Sequence, residues 1–196
     1  MHTRTFLVGT CGSLLACSPV LAHSPGDLAV TSGLLAGLAH PWLGLDHLLA
    51  MVAVGMLGWR QGGRAAWALP VLFMAVMCGG ALAGIAAAPL PIIETGIALS
   101  VVALGVLLIS GDRLPLTLLS MVVAGMALLH GHAHGTEMPL LANPLAYVSG
   151  FLLGTAGLHA TGMLLAALYQ RQTPSVIGWR LSGVAMLAAG IVLWTR

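Results

Sequence analysis

The stretch HPWLGLDH, residues 40–47, sets two histidines and an aspartate inside a run that is otherwise almost wholly apolar. Imidazoles and a carboxylate in one place are ligands for a transition-metal ion. His40 and His47 are seven residues apart, two helical turns, and share a face. Asp46 falls about 100° from His47 on a regular helix, so the three meet only where the helix bends. Pro41 can bend it by removing one backbone N–H and crowding the carbonyl four residues back, that of Gly37. A second cluster, HGHAHGTE, runs from His130 to Glu137. His130 and His134 have the four-residue spacing that places two imidazoles on one ion. Glu137 joins that face if the helix continues, while His132 points about 200° away. His159 stands alone in GTAGLHATG, with Thr155 one turn before it on the same face.

Each of these residues has a plainer reading. A buried histidine often only bonds a neighbouring helix, and a histidine-rich span end can lie among headgroups and water. Glu94 follows PLP at a helix start, where the dipole favours a carboxylate. His23 is an extra ligand only if cleavage exposes it, and it otherwise belongs to a polar terminus. Met51 and Met126 read as packing residues. Two histidines with an aspartate around a proline are harder to dismiss, because an ionisable group at mid-bilayer costs roughly 2.5–3.5 kcal/mol.

The chain that positions these groups is built for lipid. Its 196 residues are 59% hydrophobic and 6% charged, with a mean hydropathy of +1.01. Those values exclude an ordinary water-soluble domain. The net charge of +2 and the absence of a basic run exclude a nucleic-acid partner. Residues 1–22 read as a cleavable signal peptide: Arg4, an apolar run too short to span, then small residues before His23. Residues 23–196 read as a single transmembrane domain of six helices, the first kinked at Pro41. The spans are about 28–59, 66–88, 91–109, 114–134, 144–169 and 176–194, each near the ~20 residues a bilayer needs. Continuous apolar runs fit helices, and barrel strands would alternate. Cys78, the one cysteine after the signal, makes no disulfide framework.

Arg60, Arg64, Arg113 and Arg171 lie in the odd-numbered loops, which are therefore cytoplasmic. That arrangement puts both mature termini in the periplasm of a bacterial inner membrane. The halves, of three spans each, would then be inverted, and GLAH in the first span faintly matches GMALLH in the fourth.

Imidazoles with one or two carboxylates suit Ni²⁺, Cu²⁺, Zn²⁺ or Co²⁺, and lack the oxygen-rich character of Mg²⁺ and Ca²⁺ sites. Imidazole binds when neutral, so acid should release the ion. HPWLGLDHLLAMVAVG resembles the signature of the HupE/UreJ family, nickel permeases that accompany hydrogenases and ureases. HGHAHGTE resembles that family's second motif, with Leu129 where an aromatic is expected. The resemblance implies Ni²⁺ as cargo rather than a permanent cofactor, and a non-enzyme. It implicates His40, Asp46 and His47, then His130, His134 and Glu137, and a nickel chaperone as a downstream partner. His159 joins the metal set on its own chemistry. The alternatives are an intramembrane metalloenzyme, although no H-E-x-x-H or G-x-S-x-G occurs, and a haem-binding membrane anchor.

Overall fold

The computed structural model describes residues 25–86, 91–110, 114–138, 143–172 and 176–195. The expected signal segment 1–22, His23 and Arg113 lie outside them. Helices account for nearly all of what is described: α1 (Pro25–Leu43), α2 (Leu45–Gln61), α3 (Ala65–Ile85), α4 (Pro91–Ser110), α5 (Leu116–Thr136), α6 (Pro144–Gln172) and α7 (Val176–Trp194). With no water in a bilayer core, a spanning backbone must satisfy its own polar groups, and helices do so. Five of these helices are long and apolar enough to cross a membrane, and α1 with α2 make a sixth if the bent pair is one span. The burial pattern is inverted relative to a soluble protein. Leu43, Leu82, Ile92, Met121 and Leu145 are each more than two-thirds exposed, whereas His47, His130, His134, Thr155 and His159 are buried. Apolar groups outside and polar groups inside make an integral membrane protein.

The first expected span is two helices rather than one kinked at Pro41. Pro41 stays within α1, and the chain breaks three residues later at Gly44, with an 82° bend. Proline's fixed φ is itself helical, so Pro41 can stay within a helix at the cost of a lost hydrogen bond and local crowding. Gly44 is extended, at φ −86° and ψ 117°, and its carbonyl accepts the Leu48 N–H at 2.9 Å to start α2. A Cβ at residue 44 would come within 3.0 Å of both Asp46 Oδ1 and His47 Nδ1. The bend therefore falls where those two side chains fold back over the backbone.

Both halves of this broken span run along α6 in the same direction. Gly33 meets Asn143 and Gly37 meets Tyr147 and Phe151; further on, Met51 meets His159 and Trp59 meets Gln170. A re-entrant hairpin would run one half backwards. α2 and α3 form a tight antiparallel pair, with Gly58 against Ala66 and Pro70. Hence α3 runs against α6, and the α3·α5 pair, whose members run together, points opposite to the α1·α6 pair.

The two parallel pairs repeat one another residue for residue. Gly37 faces the Tyr147 carbonyl and Phe151 amide, as Gly131 faces the Met77 carbonyl and Ala81 amide. Gly150 faces the Leu34 carbonyl and Leu38 amide, as Gly80 faces the Leu128 carbonyl and His132 amide. Backbones approach this closely only where a side chain is missing. α4 and α7 cross antiparallel, with Gly105 on Gly183 and Leu187, and Gly183 on Gly105 and Ile109, a self-matching contact. This is the pattern of an inverted repeat. In its register GLAH (37–40) matches GHAH (131–134), not GMALLH (125–130), so His40 corresponds to His134.

A methyl at Gly131 has no room, whereas one at Gly79 meets nothing within 4 Å. Gly131→Ala should therefore destabilise the detergent-solubilised protein by about 1–3 kcal/mol through overpacking. Gly79→Ala should be neutral or gain up to about 1 kcal/mol in helix propensity. Thermal unfolding of the two purified variants checks the contrast.

Candidate metal centre

The break at Gly44 sets Asp46 and His47 in the first turn of α2. Asp46 Oδ1 accepts the His47 backbone N–H at 2.8 Å and lies 2.7 Å from His47 Nδ1. A carboxylate only accepts, so the proton sits on Nδ1 and, in the neutral ring, the lone pair sits on Nε2. That Nε2 is buried with no protein partner. A carboxylate behind an imidazole in this way fixes its tautomer and raises the basicity of the far nitrogen.

Two more rings meet this one. His40, from the last turn of α1, and His134, from the last turn of α5, stack edge to face against it: His47–His134 centroids are 4.6 Å apart and His40–His134 centroids 4.8 Å. One nitrogen from each of His40, His47 and His134 lies within 4.8 Å of the others. Ligands about 2 Å from a common ion stand about 3–4 Å apart, so the three rings need close by only about 1 Å to share one. His134 is fully buried, and neither of its nitrogens has a protein partner. Three imidazoles from three helices, their nitrogens this close, fit a borderline divalent cation.

Glu137 follows α5 at the mouth, half exposed, with Oε2 3.0 Å from His40 Nε2. That hydrogen bond holds its carboxyl below the usual range, against the opposing effect of burial. Exposure falls along the line from Glu137 to the partly exposed His40, and then to the buried His47 and His134.

The other expected residues fall around this group. His130 is fully buried and stacks on His47 at 5.1 Å, but it lies outside the three-nitrogen group. Its Nδ1 donates to the Met126 carbonyl at 2.9 Å, leaving Nε2 unpartnered. The i, i+4 pair on α5 is thus not the core of the centre, and His134 works with α1 and α2 instead. His159 packs on the Phe73 ring, centroids 5.2 Å apart, and is almost fully buried. His132 turns away and packs its backbone on Gly80 and Gly84. Glu94 is exposed in the first turn of α4, in a surface cleft with Leu193 and Trp194. Sequence reasoning passed over Tyr147, 6.1 Å from His40 by ring centroids, and Phe151, which stacks on His134 at 4.8 Å. Their signal was faint: Tyr147 is one of two tyrosines in the chain and sits early in an apolar span.

Residues 11–193 match the family model described as HupE / UreJ protein. The chain belongs to the HupE/UreJ family. It is 44% identical over 175 residues to Protein HupE of Rhizobium leguminosarum bv. viciae, covering 89% of this chain and 91% of that one. No solved structure matches. In this HupE/UreJ chain the matched region contains every candidate ligand from His40 to His159.

Asp46→Asn keeps an acceptor for the His47 backbone N–H and removes the charge behind Nδ1. Calorimetric titration of the purified HupE/UreJ protein with Ni²⁺ should show affinity about 10–100-fold weaker, with the unfolding temperature little changed.

Proposed function

We propose that this protein is a permease that carries a divalent transition metal, Ni²⁺ foremost, from periplasm to cytoplasm. The observation that carries the reading is the convergence of His40, His47 and His134 from three helices onto one interior space. A stable resident site would enclose its ion with a full shell, whereas conduction needs a site that also lets go. Three imidazoles, with Glu137 at the open mouth, make such a partial shell. Ring centroids of 4.6–6.0 Å among the three leave room for an ion and not for a macrocycle, which favours this reading over a haem anchor. Asp46 and Glu137 are both engaged with imidazoles, so neither stands free as the general base a metallohydrolase would use.

Membership in the HupE/UreJ family supports nickel over Co²⁺, Cu²⁺ and Zn²⁺, which the donor set also suits. It supports delivery toward maturation of a hydrogenase or urease, with a cytoplasmic nickel chaperone as recipient. Arg60, Arg64 and Arg171, at the loop ends opposite Glu137, support an orientation in the inner membrane with that acid and the mature termini toward the periplasm.

Radio-nickel uptake in cells tests the reading. His40→Ala and His47→Ala should each bring uptake to background at matched expression, and His132→Ala should leave it near wild type. Uptake at the wild-type rate in both of the first two variants would overturn the site. Excess Co²⁺, Cu²⁺ or Zn²⁺ that suppressed uptake as well as unlabelled Ni²⁺ does would overturn the preference for nickel.

A further inference from the structure

Below the tri-histidine centre the chain repeats one device. His130 Nδ1 donates to the Met126 carbonyl at 2.9 Å, and His159 Nδ1 donates to the Met51 carbonyl at 2.7 Å. Each tether fixes the ring and, in the neutral form, puts the lone pair on Nε2. Both Nε2 atoms are buried with no protein partner. The Phe73 ring packs on both histidines, its centroid 5.7 Å from His130 and 5.2 Å from His159, and it is fully buried. Thr155 stands one turn before His159 on the same face of α6. Thr155 is 0% and His159 2% exposed, and the Thr155 hydroxyl also lacks a partner. A packed core does not leave a lone pair and a hydroxyl unsatisfied on one helix face without cause, since each costs about 1–3 kcal/mol.

The position fits a station on a path. Beyond His159, where the α2–α3 turn meets the end of α6, an open cleft of about 390 Å³ is lined by Trp59, Arg60, Gly62, Ala66, Trp67 and Gln170. Gln170 is eleven residues past His159, about 16 Å of helix. Between the outer centre and this cleft, His159 and Thr155 are the buried polar groups that α6 offers.

We propose that His159 and Thr155 form a second, inner cation site, divided from the tri-histidine centre by the Phe73 ring, so that the transported ion rests twice on its way through. The inner site takes a divalent transition metal through the His159 imidazole, with the Thr155 hydroxyl as a weak oxygen ligand. Phe73 is an apolar constriction that keeps the two resting places from merging. This rests on the permease reading for its direction, but not for the existence of the site.

Two conservative variants separate a ligand from a packing residue. His159→Asn keeps an amide donor where Nδ1 meets the Met51 carbonyl and removes Nε2, and Thr155→Val keeps the shape and removes the hydroxyl. Purified full-length protein, titrated with Ni²⁺ alone, should bind two equivalents. His159→Asn should lose one and His40→Ala the other. In cells, His159→Asn and Thr155→Val should lower the maximal rate of nickel uptake, the former about tenfold or more, with KM set by the outer centre and little changed. Wild-type rates in both variants would overturn the inner site and leave the permease reading intact. One equivalent that His159→Asn leaves untouched would overturn it too. Failure of the wild type to accumulate nickel would count against the permease instead, and the binding stoichiometry would still decide the inner site.

Discussion

Where two helix backbones touch through glycine, no side chain stands between them, and a histidine one turn further along is carried to the interior. That close approach underlies the whole arrangement. Gly37 on α6 leads to His40, and Gly131 on α3 leads to His134. Lipid offers helices no hydrophobic reason to associate, so such contacts and the polar groups beside them hold the bundle together. The buried imidazoles in turn need polar partners, since hydrocarbon supplies none. Packing and chemistry are thus one problem solved at the same positions.

Much of the architecture was legible as runs of apolar residues between turn residues. The last span, 176–194, and the start of the third at Pro91 coincide with α7 and α4. The break at Gly44 was not legible, because a proline three residues earlier is the stronger local signal for a bend. The need for glycine there arises only once Asp46 and His47 fold back over it. The fourth-span cluster shows the same limit. Four-residue spacing tells which histidines share a helix face and nothing of which helices come to that face, so His130 and His134 read as a pair. In the fold His134 belongs with His40 and His47, and His130 stands behind them. Phe73, Tyr147 and Phe151 were hard to see for a related reason: in an apolar span an aromatic is the expected filler.

The tethered rings give the interior its order. A neutral imidazole has one donor and one acceptor nitrogen, and which is which decides where an ion can sit. Asp46 makes that choice for His47, the Met126 carbonyl makes it for His130, and the Met51 carbonyl makes it for His159. In each case Nδ1 is spoken for and Nε2 is the open nitrogen. His134 has no such tether on either nitrogen and is held by ring contacts with His40, His47 and Phe151 instead.

The repeat is incomplete, and the incompleteness has a consequence of its own. α1 answers to α5, α4 to α7, and the glycine-bearing parts of α3 and α6 to each other, but α2 and the C-terminal half of α6 beside it have no counterpart among the described residues. A body that looked alike from both faces of a membrane would have no preferred heading. The unmatched segments carry Asp46, His47 and His159, and they make the two ends of the described bundle chemically unlike.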